Sequence, residues 1–156
     1  MIEAGAVIHL IQGSGISEDP TWESGEKTFD GRSWAQVPGG GGIPWMKKKA
    51  PTRIVPNHLY DQHGSSNLFL HEHGHSLDSI IEDKTISGSA EWRVIATSEQ
   101  TQKFLKVTCG SYCIENVNEG FAELFAYYHA CSLTKKDVKT YLPEVEIFFK
   151  ELSRTL

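Results

Sequence analysis

His71-Glu72-His73-Gly74-His75 decides how the rest of this chain is read. His71 and His75 stand one helical turn apart, so on a helix both imidazoles lie over the same face. Two imidazoles at that spacing can share one metal ion, and Glu72 then sits at the edge of the same site. This HExxH pattern is that of a zinc hydrolase whose glutamate acts as general base. It names a reaction class, a cofactor and three residue roles together.

Working outward, Ser65 or Ser66 is the expected cap of a helix running to about Glu82. Leu70, Gly74, Leu77 and Ile81 form its expected buried stripe, while His71, His75 and Asp78 share a different face. A glycine at position 74 lowers helix stability by about 1 kcal/mol relative to alanine. Its presence there points to another element packing very close.

Two histidines do not complete a catalytic zinc site, which takes three protein ligands and leaves a position for water. No further histidine follows His75 at the spacing of the long metzincin motif. The best third ligand is Glu119, within Glu115-Asn116-Val117-Asn118-Glu119-Gly120-Phe121-Ala122-Glu123. Ala122 and Ala126 flank the carboxylates with small side chains, which a helix needs to approach the histidine helix closely. Glu123, one turn after Glu119, is either an alternative ligand or a carboxylate that orients a ligand histidine. Zinc lowers the pKa of its bound water to about 7, and Glu72 takes a proton from that water as it attacks a carbonyl. Tyr112 is a candidate donor to the developing oxyanion, because a phenol can hydrogen-bond without carrying charge. Asp78 and Glu123 are candidates to accept N–H bonds from His75 or His71 and so fix their tautomers.

Elsewhere the N-terminal third reads as strands and turns. Ala6 to Ile11 is a short apolar run consistent with a buried strand. Thr21 to Pro44 is dense in Gly, Pro, Ser and Trp, and its run Gly39-Gly40-Gly41-Gly42 favours loop over helix. That run is no phosphate loop, since it lacks the Gly-Lys-Ser/Thr ending. Gly39 to Pro44 reads instead as a cleft rim, with Gly40, Gly41, Gly42 and Ile43 as its candidate substrate contacts, where a peptide can add to an edge through main-chain hydrogen bonds. Arg53-Ile54-Val55 reads as a short edge strand ended by Pro56. Ala90 to Ala96 fits helix or strand. Ser98 to Thr108 fits a helix capped by Ser98, and Asn116 or Asn118 opens a strong helix through Ala130, with Phe121, Leu124, Phe125 and Tyr128 as its core stripe. Thr134 and Pro143 open two C-terminal helices, the last with Val145, Phe148, Phe149 and Leu152 on its apolar face.

The 156 residues suffice for one domain with its own core, and 39% hydrophobic with 22% charged residues is ordinary for a globular protein. A formal net charge of -5 argues against a nucleic-acid partner. No apolar run reaches the length of a membrane span. Met1-Ile2-Glu3-Ala4-Gly5 lacks the features of a signal peptide, so the chain does not read as an intact signal-bearing precursor; a trimmed domain of a secreted protein, with Met1 as an expression start, stays compatible with it. Cys109, Cys113 and Cys131 are too few for a disulfide framework. No partner pair stands at zinc-finger spacing, so they read as buried free thiols rather than ligands of a second metal.

His71-Glu72-His73-Gly74-His75-Ser76-Leu77-Asp78 and Asn118-Glu119-Gly120-Phe121-Ala122-Glu123-Leu124-Phe125 resemble the catalytic domain of anthrax lethal factor and the related bacterial Pro-Pro endopeptidases. The spacing of Tyr112 before Glu119, and of Glu123 after it, is similar to that family. The stretch from Thr28 to Gly42, with Trp34 and Val37-Pro38-Gly39, resembles the segment preceding the family's substrate-binding edge strand. The resemblance spans Thr21 to Tyr128 and is specific at the two helices. His73 departs from it, standing where an apolar or aromatic residue is expected, which puts the outer surface of that helix in question.

The resemblance implies an α+β fold: a β-rich cleft region over 1–60, then a helical zincin-like (gluzincin) lobe over 61–156, together one catalytic domain. It implies a monomeric, secreted or toxin-delivered zinc endopeptidase with one Zn2+ per chain on His71, His75 and Glu119. Its partner is a protein or peptide substrate in extended form; the resemblance to Pro-Pro endopeptidases implies cleavage next to proline, and that to lethal factor implies a site chosen by docking. The alternatives are the catalytic piece of a toxin with one host target, or a zinc-stabilised binding module without catalysis.

Overall fold

In the computed structural model, which describes residues 8–10, 27, 31–37, 39–40, 52–54, 65, 67–80 and 84–155, Asn67 starts the helix that carries the histidines. Its side-chain oxygen accepts from the Leu70 amide at 3.1 Å, satisfying one of the first-turn donors that have no helical partner. Of the two expected caps, Ser65 instead accepts from the Asn67 amide at 3.2 Å, and Ser66 lies outside the described residues. Helix α1 runs Leu68–Asp78, shorter than the expected span to Glu82. It stops because the Asp78 carbonyl accepts from Ile86 N at 3.0 Å, drawing the chain back towards the following turn. Its burial also departs from expectation. Leu70 is only half-buried, whereas His71, Glu72 and Asp78 are buried beside Gly74 and Leu77. The polar face is therefore an inside face, covered by two other elements.

One cover is a small sheet. Strands β1 (Ile8–Leu10), β2 (Gly39–Gly40) and β3 (Thr52–Ile54) lie in the order β1-β3-β2, with β1 parallel and β2 antiparallel to β3. The expected edge strand around Arg53 is thus the central one. A strand this short carries too little alternation to reveal how many neighbours it has. Thr52 anchors α1 to this sheet: its hydroxyl lies 2.7 Å from Ser76 Oγ and 3.2 Å from His73 Nδ1. His73 is half-buried against β3 and α5, within 6.1 Å of the Phe125 ring by centroids. It joins helix to strand and does not alter an outer surface.

The other cover is helical. Helices α2 (Ala90–Thr97), α3 (Glu99–Thr108), α4 (Tyr112–Glu115), α5 (Val117–Ala130), α6 (Ser132–Tyr141) and α7 (Pro143–Thr155) make the fold mostly helical, α+β with a small strand region. Ser89 accepts from Trp92 N at 3.1 Å and resolves the ambiguous 90–96 segment as helix. Ser98 and Asn116 cap α3 and α5 as expected. Thr134 is a first-turn residue of α6 and not its cap, its hydroxyl accepting from Cys131 N at 3.1 Å. The α5 stripe Phe121, Leu124, Phe125 and Tyr128 is buried against Val145, Phe148 and Phe149 of α7 and the fully buried Trp92 of α2. The Trp92 ring meets Phe121 edge to face at 5.1 Å and donates to Val117 O at 3.1 Å, so it packs without an orphaned N–H. None of the described helices is long and apolar enough to cross a membrane.

The cysteines also differ from expectation. A disulfide joins Cys109 and Cys113, whose Cα atoms are 6.2 Å apart across the turn between α3 and α4, and Cys131 is exposed. The bend brings the two Cα atoms within the range a disulfide spans, although the number of cysteines suggests no framework.

Between α1 and α5 the backbones nearly touch. A Cβ at Gly74 would stand 2.8 Å from Ala122 Cα and 3.1 Å from its carbonyl oxygen. Backbone cannot yield there as a side chain can. Gly74→Ala is therefore expected to destabilise the protein by about 1–3 kcal/mol despite the better helix propensity of alanine. Urea unfolding checks this, and a stabilised variant would show that the helices are not in contact.

Candidate functional site

The close approach of α1 and α5 brings together residues that lie far apart in the chain. His71 and His75 project from α1 with their Nε2 atoms 3.1 Å apart. Glu119, in the first turn of α5, places Oε2 3.2 Å from His71 Nε2 and 3.3 Å from His75 Nε2. Small side chains at Gly74 and Ala122 allow this, as Ala122 in the sequence led one to expect.

Two ring nitrogens and a carboxylate oxygen facing one another make a poor hydrogen-bond group, because the three atoms carry more lone pairs than shared protons. They make a good ligand set. Zinc bonds of about 2.0–2.1 Å in a tetrahedron place neighbouring ligand atoms about 3.3–3.4 Å apart. The observed separations of 3.1, 3.2 and 3.3 Å approach that triangle. The residues present fit a divalent zinc ion.

Behind the ligands stands Glu123, fully buried, with Oε2 3.2 Å from His71 Nδ1. A ring N–H given from Nδ1 to this carboxylate turns Nε2 towards Glu119 and His75, the orientation in which Nε2 would bind a metal. Of the two roles open to Glu123 in the sequence, the geometry matches the orienting one. Asp78, the other candidate, bonds elsewhere. Its carboxylate accepts from Ser87 N at 2.6 Å and lies 2.7 Å from Ser87 Oγ, which is also 2.8 Å from Asn118 Oδ1. Asp78 thereby braces the end of α1 against the start of α5, one residue before Glu119. Burial pushes its carboxyl pKa up, although the bonds from Ser87 oppose that.

Glu72 is buried on the same helix, with its charge acting on both His71 and Tyr112. Tyr112 opens α4 and is half-buried. Burial, then the charge of Glu119 and a hydrogen bond to it, then Glu72, hold its phenol pKa above the usual range, so it stays a proton donor; the Arg32 guanidinium opposes this. Arg32 and Ser87 escaped the sequence reading because nothing local marks them. Gly39, the first residue of the expected cleft rim, lies against Glu72, a contact that nothing local in the sequence marks. Of that rim, Gly40 lies in edge strand β2, paired with Arg53, and Gly41, Gly42 and Ile43 fall outside the described residues. A second group of candidate ligand atoms, on Cys109, Cys113 and Glu123, also lies within 4.8 Å, but there the sulfurs are bonded to each other.

Electrostatics of the triad give a pH dependence. Burial works against the His71 charge, but its bonds to Glu119 and Glu123 and the charge of Glu72 prevail, raising its pKa from 6.5 to about 10. Burial likewise opposes the Glu119 charge, and the two histidines overcome it, holding its pKa well below 4.5. A raised histidine stabilises the fold fully below its unfolded pKa, and that stability is lost as pH rises through the folded value. A depressed carboxylate stabilises above its unfolded pKa, and that is lost on acidification. Chelator-treated protein is therefore expected to be most stable between pH 4.5 and 6.5 and to melt progressively lower from 6.5 to about 10. Melting curves across that range check it, and a midpoint that rises with pH would contradict it.

Comparison with known proteins adds three findings. The family model described as "Anthrax toxin lethal factor, N- and C-terminal domain" matches residues 3–152. A Pro-Pro endopeptidase of Clostridioides difficile (strain 630) is 32% identical over 124 residues, which are 80% of this chain and 52% of that protein, so the chain spans about half the length of this curated relative. The solved structure of the Pro-Pro endopeptidase PPEP-2 from Paenibacillus alvei shares the fold at a TM-score of 0.70 and 24% identity, covering 97% of this chain and 80% of that one.

Proposed function

The chain belongs to the anthrax toxin lethal factor family, and from that premise we propose that it is a zinc metalloendopeptidase that hydrolyses a peptide bond next to proline in an extended protein substrate. The observation that carries this reading is the convergence of His71, His75 and Glu119 from two helices beside a buried glutamate. The activity in the name of the C. difficile relative supports the reaction, and its proline preference supports the substrate class. The family supports a zincin-like helical lobe (61–156) and a cleft region (1–60) within one catalytic domain. It also supports secretion, and we take the protein to act as a monomer.

In this reading His71, His75 and Glu119 hold one Zn2+ per chain. Zinc, when bound, supplies Lewis acidity that brings a water to a pKa of about 7 and polarises a carbonyl. Glu72 accepts the proton of the attacking water and delivers it to the departing amine. Tyr112, kept protonated, donates a hydrogen bond to the oxyanion as charge develops there. Glu123 holds the His71 ring, and Asp78 holds the helix ends in register. We take the substrate main chain to run along Gly40, which lies in strand β2, and on past Gly41, Gly42 and Ile43, adding through main-chain hydrogen bonds.

One variant and one chelation experiment test the roles. Glu72→Gln is expected to keep one zinc per chain and to lower kcat/KM by about 10²–10⁴-fold, because it removes proton transfer and leaves the ligands in place. Plasma emission for zinc, with a proline-containing peptide library read by mass spectrometry, measures both. Chelation is expected to abolish cleavage. Undiminished activity in Glu72→Gln would remove the general base from the account. Zinc bound without any cleavage by the wild type would move the reading to a binding module.

A further inference from the structure

We propose that Gly39 is a positioning residue for Glu72: edge strand β2 is the wall against which this carboxylate is held, and the missing side chain at 39 leaves it room. The inference rests on the reading of Glu72 as general base, but the contact itself is independent of that reading. A Cβ at position 39 would stand 2.8 Å from Glu72 Cγ, 2.9 Å from Oε1 and 3.1 Å from Cδ. No real Cβ tolerates the first two distances.

The backbone gives no separate reason for glycine. Positive φ among the described glycines is confined to Gly31 and Gly110. Gly39 pairs with Ile54 as an ordinary antiparallel strand residue, a conformation open to alanine. A glycine inside a strand marks a close approach, and here the approaching group is a side chain. The contact includes Cγ as well as the carboxylate, so turning the carboxylate alone does not relieve it. Glu72 is 3% exposed, and its charge acts on His71 and Tyr112. Any displacement therefore moves the proton acceptor relative to the groups it works with. Gly74 provides the contrast: its neighbour is backbone, so substitution there is felt as stability. At Gly39 the neighbour is the acting side chain, so substitution is felt in turnover.

The test is a double-mutant cycle between Gly39→Ala and Glu72→Ala, read in two ways. In thermal unfolding of chelator-treated protein, Gly39→Ala is expected to lower Tm by about 2–6 °C in the wild type and not at all in the Glu72→Ala background, where the clash partner is gone. In kinetics on a peptide cleaved by the wild type, Gly39→Ala is expected to lower kcat by about 10–100-fold with KM within about twofold and zinc content unchanged. A kcat loss of that kind without a Tm change also supports the inference, since the glutamate has then yielded. The same Tm fall in both backgrounds would overturn it, because the glycine would then serve the backbone. An unchanged kcat would overturn it as well. If Gly39→Ala fails to fold alone, the double variant is expected to fold, and its failure would sink the idea. Were the wild type to cleave nothing, the proposed function would fall, while the Tm cycle would still decide the contact.

Discussion

The near contact of α1 with α5 at Gly74 and Ala122 is the constraint from which the site follows. Helices normally pack with axes 8–10 Å apart, and the lower end of that range requires small residues at the crossing. Here the crossing puts Glu119, in the first turn of α5, within bonding distance of both histidines on α1. A larger side chain at 74 would separate the helices and break the triangle of His71, His75 and Glu119 before it touched any of the three. The same crossing encloses Glu123 completely and so creates the buried carboxylate that fixes the His71 ring.

Around that crossing the polar groups are arranged in layers. His71 lies between two carboxylates, one on each ring nitrogen. Asp78, Ser87 and Asn118 tie the C-terminal end of α1 to the start of α5, and Thr52, Ser76 and His73 tie the same helix to the central strand. Buried polar groups are costly unless paired, and each of these is paired. The network holds α1 from both sides, by sheet and by helix, while the aromatic cluster of Trp92, Phe121, Phe148 and Phe149 holds α5 in place. A site of this kind needs rigid support, because small displacements of ligands or base have large effects on rate.

Much of this was legible in the sequence, and the limits have physical causes. His71, Glu72, His75 and Glu119 were legible because helical periodicity puts them on defined faces, and α5 declared its core stripe for the same reason. Gly74 was legible because glycine in a helix interior needs a reason. Asp78 was misplaced, since an aspartate facing a histidine in projection still takes the nearer backbone donor at Ser87. The central position of β3 depends on contacts between segments, which no local pattern encodes, while the Asn67 cap and the disulfide at 109 and 113 are local but turn on backbone details at a helix start and a bend that residue types alone do not fix. Gly39 is the sharpest case: within a run of four glycines nothing distinguishes the one lying against Glu72.

The central claim is that two helices hold one zinc ion through nitrogen and oxygen donors alone. X-ray absorption at the zinc edge of the loaded protein tests it most directly. The account predicts a shell of nitrogen and oxygen at about 2.0–2.1 Å with no sulfur, from His71, His75 and Glu119. A sulfur contribution at about 2.3 Å would contradict it, placing the metal instead on Cys109 and Cys113 beside Glu123.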